Sequence, residues 1–264
     1  MARAYPENAL RRYYHTLHLA WGPQHWWPAE TRFEIIVGAY LTQNTAWTNV
    51  EKALANLRAA GSLSVAGIRE IRLAKLERLI RPSGYFRQKA LRLKTFVTFL
   101  DKNYTGSLDM LFAQPTAKLR EELLNLNGIG PETADSILLY AGNHPVFVVD
   151  AYTRRILERH KILPEGTDYE EIRELFEGAM APIAEEAQEE KKEDSAPHNA
   201  PGLSVSQFRG AAHPPSTMST ASRTALVQVY NEMHGLIVGI GKLHCKKSKA
   251  ACEGCPLQPF LPCD

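Results

Sequence analysis

The sequence predicts an all-α protein, and two observations lead to that fold class. Apolar residues recur at the spacing of one helix face in eight segments of the chain. Strand signals are weak, and the run VFVVD at 146–150 is too short to found a sheet. In chain order the predicted helical segments are 33–41, 47–59, 66–80, 87–101, 117–125, 131–141, 151–160 and a last one that begins near Thr224.

Length and composition indicate a globular protein with a substantial core. The chain has 264 residues, of which 44% are hydrophobic and 23% charged, enough for one or two domains. It lacks a run of about eighteen apolar residues, so we expect no membrane span. The N-terminal segment is too polar for a secretory signal. We therefore expect an intracellular, cytoplasmic protein.

The segment 185–221 differs in composition from the rest of the chain. It holds six acidic and three basic residues and is otherwise rich in Ala, Pro, Ser, Gly and His. Because it can bury little apolar surface, we expect a disordered insertion, a solvated linker rather than a partner-binding tail. The remaining chain has 28 basic and 23 acidic residues, a balance that is compatible with a DNA partner.

A turn with two glycines separates two predicted helices at 126–134, where the sequence is LNGIGPETA. Gly128 and Gly130 permit backbone angles that are closed to other residues, and Pro131 suits the first turn of the next helix. Such a hairpin points backbone N–H groups outward at a helix N-terminus, where they bind phosphate without reading base sequence. A packing turn between two helices is the alternative.

Asp150 stands between the apolar run 146–150, which it ends, and the predicted helix 151–160. An aspartate in this position is a favoured helix N-cap, and capping is its simplest role. The apolar run before it would also set the carboxylate at a domain junction rather than on open surface. The two roles are compatible.

Together the hairpin and the aspartate resemble the endonuclease III superfamily. LNGIGPETADSILLYA followed by VFVVDAYTRRIL is similar to the helix-hairpin-helix motif of that family and to its loop with a catalytic aspartate, which implies catalysis by Asp150. The resemblance also implies two helical domains with a DNA-binding cleft between them. Residues 32–145 would form a helical barrel domain with the hairpin, and residues 1–31 with 146–264 the second domain.

Two further loops extend the resemblance. LTQNT at 41–45 is similar to the family's segment whose glutamine fills the gap left by an extruded nucleotide. SGYFRQKA at 83–90 is similar to the family's loop that enters the duplex near the opposite strand. The DNA-binding residues that the resemblance implies are Gln43, Tyr85, Gly128, Gly130 and Thr133.

Glu132 departs from the pattern of the bifunctional members, which have a lysine two residues after the second hairpin glycine. That lysine attacks the sugar C1′ and forms a Schiff base, which a carboxylate cannot do. We therefore expect water as the nucleophile and no lyase activity at abasic sites. One ionised carboxylate near C1′ can stabilise the developing positive charge and orient the water, and Asp150 is the expected group.

The tryptophans resemble the base pocket of the 3-methyladenine DNA glycosylases of the endonuclease III family. The implied pocket residues are Trp26, Trp27, Pro28, Trp47 and Lys242, with Trp26 and Trp47 as the stacking pair. Core packing of the indoles and a solvated helix-end lysine are the alternatives, although nearby polar residues such as Gln24 predict partial exposure. An N3-alkylated adenine is cationic, and an indole face attracts it by roughly 0.5–2 kcal/mol.

Four cysteines crowd into the end of the chain with the spacing C-x6-C-x2-C-x7-C: Cys245, Cys252, Cys255 and Cys263. In an intracellular protein this cluster indicates a metal, and four thiolates suit either a [4Fe–4S] cluster or zinc. The resemblance favours the [4Fe–4S] cluster, since endonuclease III relatives end on C-x6-C-x2-C-x5-C. The lysines between the first two cysteines would face phosphates.

These observations predict a monofunctional DNA glycosylase that acts as a monomer on double-stranded DNA containing damaged bases. Its substrates would be alkylated purines such as 3-methyladenine, which it would flip out of the duplex and release by hydrolysis. Two alternatives stay open. One is a bifunctional glycosylase and lyase for oxidised pyrimidines that uses another lysine, and the other is a non-catalytic DNA-binding relative.

Overall fold

A computed structural model describes residues 4–193, 210–211 and 213–262 of the chain. Within these ranges the regular secondary structure is helical, apart from one isolated antiparallel bridge between Cys245 and Ala250. The prediction of an all-α fold is therefore confirmed. None of the described helices is long and apolar enough to cross a membrane.

The chain divides into two compact units. One is continuous, Ala29–His144, and the other joins Met1–Pro28 to Pro145–Asp264. The sequence places these boundaries at 32 and 145. The first unit is thus an uninterrupted stretch of chain, whereas the second needs both ends of the sequence.

The continuous unit contains eight described α-helices. They are α2 (Arg32–Thr42), α3 (Trp47–Ala59), α4 (Val65–Glu70), α5 (Leu73–Leu79), α6 (Phe86–Tyr104), α7 (Leu108–Phe112), α8 (Thr116–Leu124) and α9 (Pro131–Ser136). A 3₁₀ turn at Arg81–Ser83 precedes α6, and a π-helical turn at Ile137–Ala141 continues α9.

Helix α2 forms the centre of this unit, since its residues from Phe33 to Leu41 are all buried. It packs against α3, α6 and the π-helical turn. A helix that is apolar on all sides has to be covered on every side by other helices. This packing fixes the position of the C-terminal end of α2. That end leads directly into the loop that contains Gln43.

The discontinuous unit contains four described α-helices. They are α1 (Ala4–Trp21), α10 (Ala151–Arg159), α11 (Tyr169–Glu193) and α12 (Ala225–Leu243). Helix α12 is buried over most of its length and packs against α1, α10 and α11. A 3₁₀ turn at Gln258–Phe260 follows the cysteine segment.

The segment 185–221, predicted to be disordered, includes the end of α11, which runs to Glu193. Further along, the backbone N–H groups of Ala211 and His213 donate to Gln24, at 2.8 Å to its side-chain oxygen and 3.2 Å to its carbonyl oxygen. These contacts tie this part of the segment to the residues just before Trp26. Residues 194–209 and 212 lie outside the described part of the chain.

Candidate functional site

The hairpin between α8 and α9 has the predicted form, but its two glycines differ. Gly128 has a φ of +82°, which strains any other residue. Gly130 has φ −99° and ψ 177°, extended angles that any residue adopts, and it caps α9 with Pro131 in the first turn. The expectation of special backbone angles is therefore correct for Gly128 and wrong for Gly130, which lies exposed with open space around it.

Gln43 contacts the hairpin directly. Its Nε2 donates to the Gly128 carbonyl oxygen at 2.8 Å and to Thr133 Oγ1 at 3.0 Å, and its Oε1 accepts from Arg92 Nη1 at 2.7 Å. Three residues implied in DNA binding by the resemblance thus lie together in the continuous unit. The sequence did not indicate Arg92, which follows the SGYFRQKA segment by two positions on α6.

Lys89 holds the two loops on which Gln43 and Tyr85 lie. It is 1% exposed, and its Nζ donates to the Leu41 carbonyl oxygen at 2.8 Å, to Thr45 Oγ1 at 2.7 Å and to the Ser83 carbonyl oxygen at 2.7 Å. Burial, with a smaller effect of the Arg92 charge, lowers the pKa of Lys89 to about 8. Sequence reasoning missed this role because the hydrogen-bond acceptors come from two loops that are far apart in the sequence.

Tyr85 lies at the start of α6 with a φ of +43°, and 66% of it is exposed. The neighbouring Phe86 ring has the guanidinium groups of Arg81 and Arg87 each 5.8 Å from its centroid. An exposed aromatic side chain among basic ones has the character of a nucleic-acid-binding surface.

Trp47, the other tryptophan implied in the stacking pair, lies in the same unit. It begins α3 and is half-buried, and its Nε1 donates to Glu51 Oε1 at 2.9 Å. This contact fixes one edge of the indole at the helix surface.

Asp150 caps α10, as the sequence predicts. Its Oδ1 accepts hydrogen bonds from Thr153 N at 2.8 Å and from Thr153 Oγ1 at 2.9 Å. Its Oδ2 lies 3.6 Å from His234 Nε2. Burial raises the pKa of the Asp150 carboxyl, but His234 and Thr153 together outweigh burial, so the pKa lies below its ordinary value. The carboxylate is therefore ionised at neutral pH.

Trp26 lies in the same unit as Asp150 and is 7% exposed. Its ring contacts those of Trp27, His213 and His234 at centroid distances of 5.8, 5.5 and 6.3 Å. The predicted partial exposure of Trp26 and Trp27 is wrong. Gln24, one of the polar neighbours on which that expectation was based, is itself buried. Its polar groups have partners inside the protein: its backbone N–H donates to Glu232 Oε2 at 2.6 Å, and its side-chain oxygen accepts from Ala211 N.

Lys242 at the end of α12 lies beside this indole, with its Nζ 5.4 Å from the Trp26 ring centroid. Of the other implied pocket residues, Trp27 is buried and Pro28 half-buried in the same unit. His234 was missed by sequence reasoning. Its one sign in the sequence is a histidine in the middle of the apolar segment 224–240.

The cysteine segment follows α12 and contacts the C-terminal end of α10. Arg159 Nη1 donates to Cys245 Sγ at 3.2 Å, and Arg155 Nε donates to the Cys245 carbonyl oxygen at 2.7 Å. Burial raises the pKa of the Cys255 thiol, and the nearby Cys252 and Cys245 raise it further. This donor set fits a thiolate-bound centre.

Cys263 lies outside the described residues. Within the described part of the chain, no three His, Cys, Asp or Glu side chains are arranged to hold a metal ion.

Comparison with known proteins gives a consistent result. Residues 37–182 match the family described as the HhH-GPD superfamily of base excision DNA repair proteins. Over 241 residues the chain is 39% identical to a Methanocaldococcus jannaschii protein named as a candidate DNA repair glycosylase, with 91% of this chain and 90% of that protein covered.

Two solved structures share the architecture. The H. pylori 3-methyladenine DNA glycosylase, crystallised with 1,N6-ethenoadenine, has a TM-score of 0.64 and 31% identity over 90% of this chain and 97% of that one. An endonuclease III trapped as a covalent DNA intermediate has a TM-score of 0.66 and 18% identity over 96% and 94% of the two chains, a likeness of fold alone.

Proposed function

The chain belongs to the HhH-GPD superfamily of base excision DNA repair proteins, and on that premise we propose that it is a monofunctional glycosylase for alkylated purines such as 3-methyladenine. The resemblance to the endonuclease III superfamily is thereby confirmed at the level of family and fold. The observation that carries the hydrolytic chemistry is Asp150, a mostly buried carboxylate that its partners keep ionised. The exposed Glu132, in place of a lysine, supports the monofunctional part of the proposal.

The chemistry is the hydrolysis of an N-glycosidic bond. As the bond breaks, positive charge develops on the sugar, as in glycoside hydrolysis. An ionised Asp150 lowers the energy of that charge and accepts a hydrogen bond from the attacking water. A purine alkylated at N3 is already cationic and leaves readily, so the reaction needs no strong general acid.

Selection of the lesion would depend on the tryptophans. Trp26 and Trp47, the implied stacking residues, each have an electron-rich indole face, and such a face attracts a cationic base more than a neutral one by roughly 0.5–2 kcal/mol. Unstacking is also cheapest for a damaged base, which favours its extrusion. The H. pylori relative, which is named for 3-methyladenine and was crystallised with 1,N6-ethenoadenine, supports this assignment of the lesion.

Binding to the duplex would use the continuous unit. The hairpin N–H groups near Gly130 would contact phosphate, and Gln43 and Tyr85 would enter the duplex as the lesion leaves it. In this role Gln43 would exchange its hydrogen bonds with Gly128 and Thr133 for contacts with DNA bases.

Cys245, Cys252, Cys255 and Cys263 would hold a [4Fe–4S] cluster in the other unit. When bound, such a cluster cross-links the C-terminal segment, and its neighbouring lysines would face DNA phosphates. The Arg159 guanidinium, whose Nη1 donates to Cys245 Sγ, places a positive charge beside that sulfur.

The test is base release from duplexes that contain 3-methyladenine, 7-methylguanine, an oxidised pyrimidine, uracil, or adenine opposite 8-oxoguanine. We expect release of the alkylated bases, with strand breaks only after alkali. Asp150→Asn should abolish release while it preserves the fold, because asparagine caps a helix as well as aspartate does. Asp168→Asn, at an exposed cap whose Oδ1 accepts from Glu170 N at 2.8 Å, is the matched control. Undiminished release by Asp150→Asn would overturn the mechanism.

One observation favours a second candidate function. The Lys242 amine lies beside Trp26, in the same unit as Asp150, and an amine near a flipped nucleotide could attack C1′ and cleave the strand. Direct strand breaks and a borohydride-trapped adduct that disappears in Lys242→Gln would establish this bifunctional activity instead. Intact binding without release from any substrate would indicate a non-catalytic relative.

A further inference from the structure

His234 contacts both Asp150 and Trp26 within the discontinuous unit. It lies in the middle of α12 and is 4% exposed. Its Nε2 is 3.6 Å from Asp150 Oδ2, and its ring lies 6.3 Å from the Trp26 centroid at 59°. The edge of the ring also packs on Phe147, at 6.2 Å and 76°. The imidazole is therefore fixed between the carboxylate and two aromatic rings.

The two oxygens of Asp150 have different partners. Oδ1 accepts both hydrogen bonds from Thr153, which belong to the helix cap. Oδ2 takes no part in the cap hydrogen bonds and faces His234. The cap alone would allow the carboxylate plane to tilt about the Oδ1 contacts, so the orientation of Oδ2 depends on what holds it from the α12 side.

The separation of 3.6 Å between Nε2 and Oδ2 is that of an ion pair and slightly longer than a hydrogen bond. Hydrogen bonds in catalytic sites are often long without substrate and tighten in the reactive complex. A small movement of the imidazole would let its Nε2–H donate to Oδ2 and hold the carboxylate ionised and in one plane.

We infer that His234 is a positioning residue for the glycosylase reaction, one that orients Asp150 Oδ2 through its Nε2–H and braces the Trp26 indole with its ring. The expected effect on base release rests on the proposed function, whereas the contacts of His234 with Asp150 and Trp26 do not. The other titratable side chains around this pair are Tyr152 on α10, whose pKa the Asp150 charge raises along with burial, and His213 and Lys242 against the Trp26 ring.

The test compares two substitutions of His234. Leucine keeps an apolar side chain of similar reach but removes the donor, whereas glutamine can present an N–H near the position of Nε2. In protein labelled with ¹³C at the Asp carboxyl carbons, the Asp150 signal, assigned by its absence in Asp150→Asn, reports the titration of this carboxyl directly. His234→Leu should move the Asp150 titration midpoint to higher pH, because burial raises the pKa of this carboxyl and His234 no longer lowers it. His234→Gln should restore much of the original midpoint, because its N–H can again donate to the carboxylate.

His160→Leu is the control for the loss of a buried histidine in the same unit. His160 is hydrogen-bonded to Tyr13 through Nδ1 at 2.8 Å, so its replacement should lower stability. The Asp150 titration should not move in this variant. If His234→Leu and His160→Leu leave the Asp150 midpoint equally unchanged, His234 has only a structural role and the inference is wrong.

Base release gives the second readout. His234→Leu should lower kcat on 3-methyladenine DNA about ten- to hundredfold with little change in KM, since small misplacement of a catalytic group has effects of that order. The acid limb of its kcat/KM profile should shift to higher pH in step with the Asp150 midpoint. Wild-type protein that releases no base would refute the proposed function while the carboxyl titration still decides the role of His234.

Discussion

At the scale of single residues, the two hairpin glycines allow a matched comparison. In Gly128→Ala the φ of +82° costs about 1 kcal/mol. The new Cβ would also lie 1.9 Å from Arg92 Nε and displace the side chain that donates to Gln43. We expect a lower Tm and weaker DNA binding, measured by calorimetry and by fluorescence anisotropy with a lesion duplex.

Gly130→Ala is the control for that substitution. Its angles suit alanine, and a Cβ there would meet no atom within 4 Å, so the Tm should fall less than in Gly128→Ala, by no more than the weaker N-cap preference of alanine. Weaker DNA binding without loss of stability would indicate that phosphate approaches the backbone at this point. Equal stability of the Gly128 and Gly130 variants would contradict the account of the hairpin.

Glu132 is the second residue with a defined expectation. It is exposed in the first turn of α9, at the position where bifunctional relatives have lysine. We expect Glu132→Lys to form an adduct with abasic-site DNA that borohydride traps, visible as a shifted band on a denaturing gel. Glu132→Gln should form none, which separates the new amine from the loss of negative charge. Trapping by the wild type would refute the proposal that the protein lacks lyase activity.

Asp150 and His234 show what sequence reasoning can reach at this scale. The helix-capping role of Asp150 depends on its neighbours along the chain, an apolar run before it and a helix after it, and the sequence shows both. The role of His234 depends on a contact between α10 and α12, which are far apart in sequence. A lone histidine on an apolar helix does not indicate which side chain it will face.

At the scale of elements, Lys89 predicts a measurable pH dependence of stability. Its pKa is about 8 in the folded protein and near 10.5 in the unfolded chain, so the charged ammonium opposes folding. The unfolding free energy of the wild type should therefore rise relative to Lys89→Met as pH increases from about 8 to about 10.5, by up to about 3 kcal/mol. Below about pH 8 the difference between the two proteins should be constant.

Urea unfolding at several pH values measures this difference. Lys52→Met, which removes an exposed lysine from α3, serves as the control for the loss of one positive charge. Parallel pH curves for the wild type and Lys89→Met would mean that Lys89 titrates as it does in the unfolded chain. The comparison between variants cancels the contribution of the buried tyrosines, which lose a proton near pH 10 only in the unfolded chain.

Apolar spacing predicted most of the helices of the continuous unit together with α10 and α12, but it missed α1, α7 and α11. It also gave no sign of where a helix is interrupted. The segment 66–80 has one continuous pattern but forms α4 and α5, because Ile71 and Arg72 have extended angles between them. Both helices pack on α6, so the apolar face continues across the break. The spacing of apolar residues shows which side of a helix faces the core. It does not show a turn between two helices that bury the same side. The π-helical turn after α9 escaped prediction for the same reason.

At the scale of the whole molecule, the four cysteines predict a protein that contains iron. We expect about four iron atoms and four acid-labile sulfides per chain, with absorbance near about 400 nm. Cys252→Ser should lose the iron and lower the Tm. His244→Ala, which changes an imidazole next to Cys245 that contacts the Ala251 carbonyl oxygen at 3.1 Å, should keep it. Zinc in place of iron, with no sulfide, would support the alternative centre.

The division into two units illustrates the limit of sequence reasoning at this scale. Composition and spacing indicate helices and a core, but nothing local says that residues before Pro28 pack with those after Pro145. Resemblance to a known family supplied that pairing in advance. The contact of Gln24 with Glu232 and Ala211 shows its physical basis, since a buried polar group needs partners wherever the chain provides them.

Helix α10 links two features that were described separately. Asp150 caps its first turn, and Arg155 and Arg159, one turn apart, hold the Cys245 segment near its end. Deleting one residue within α10 would rotate everything beyond it by about 100° and shift it by about 1.5 Å. Either the cap or the arginine contacts would then be lost. The length of this helix is therefore more strongly constrained than the identity of most of its residues. Insertions and deletions should be tolerated better elsewhere in this unit than within α10.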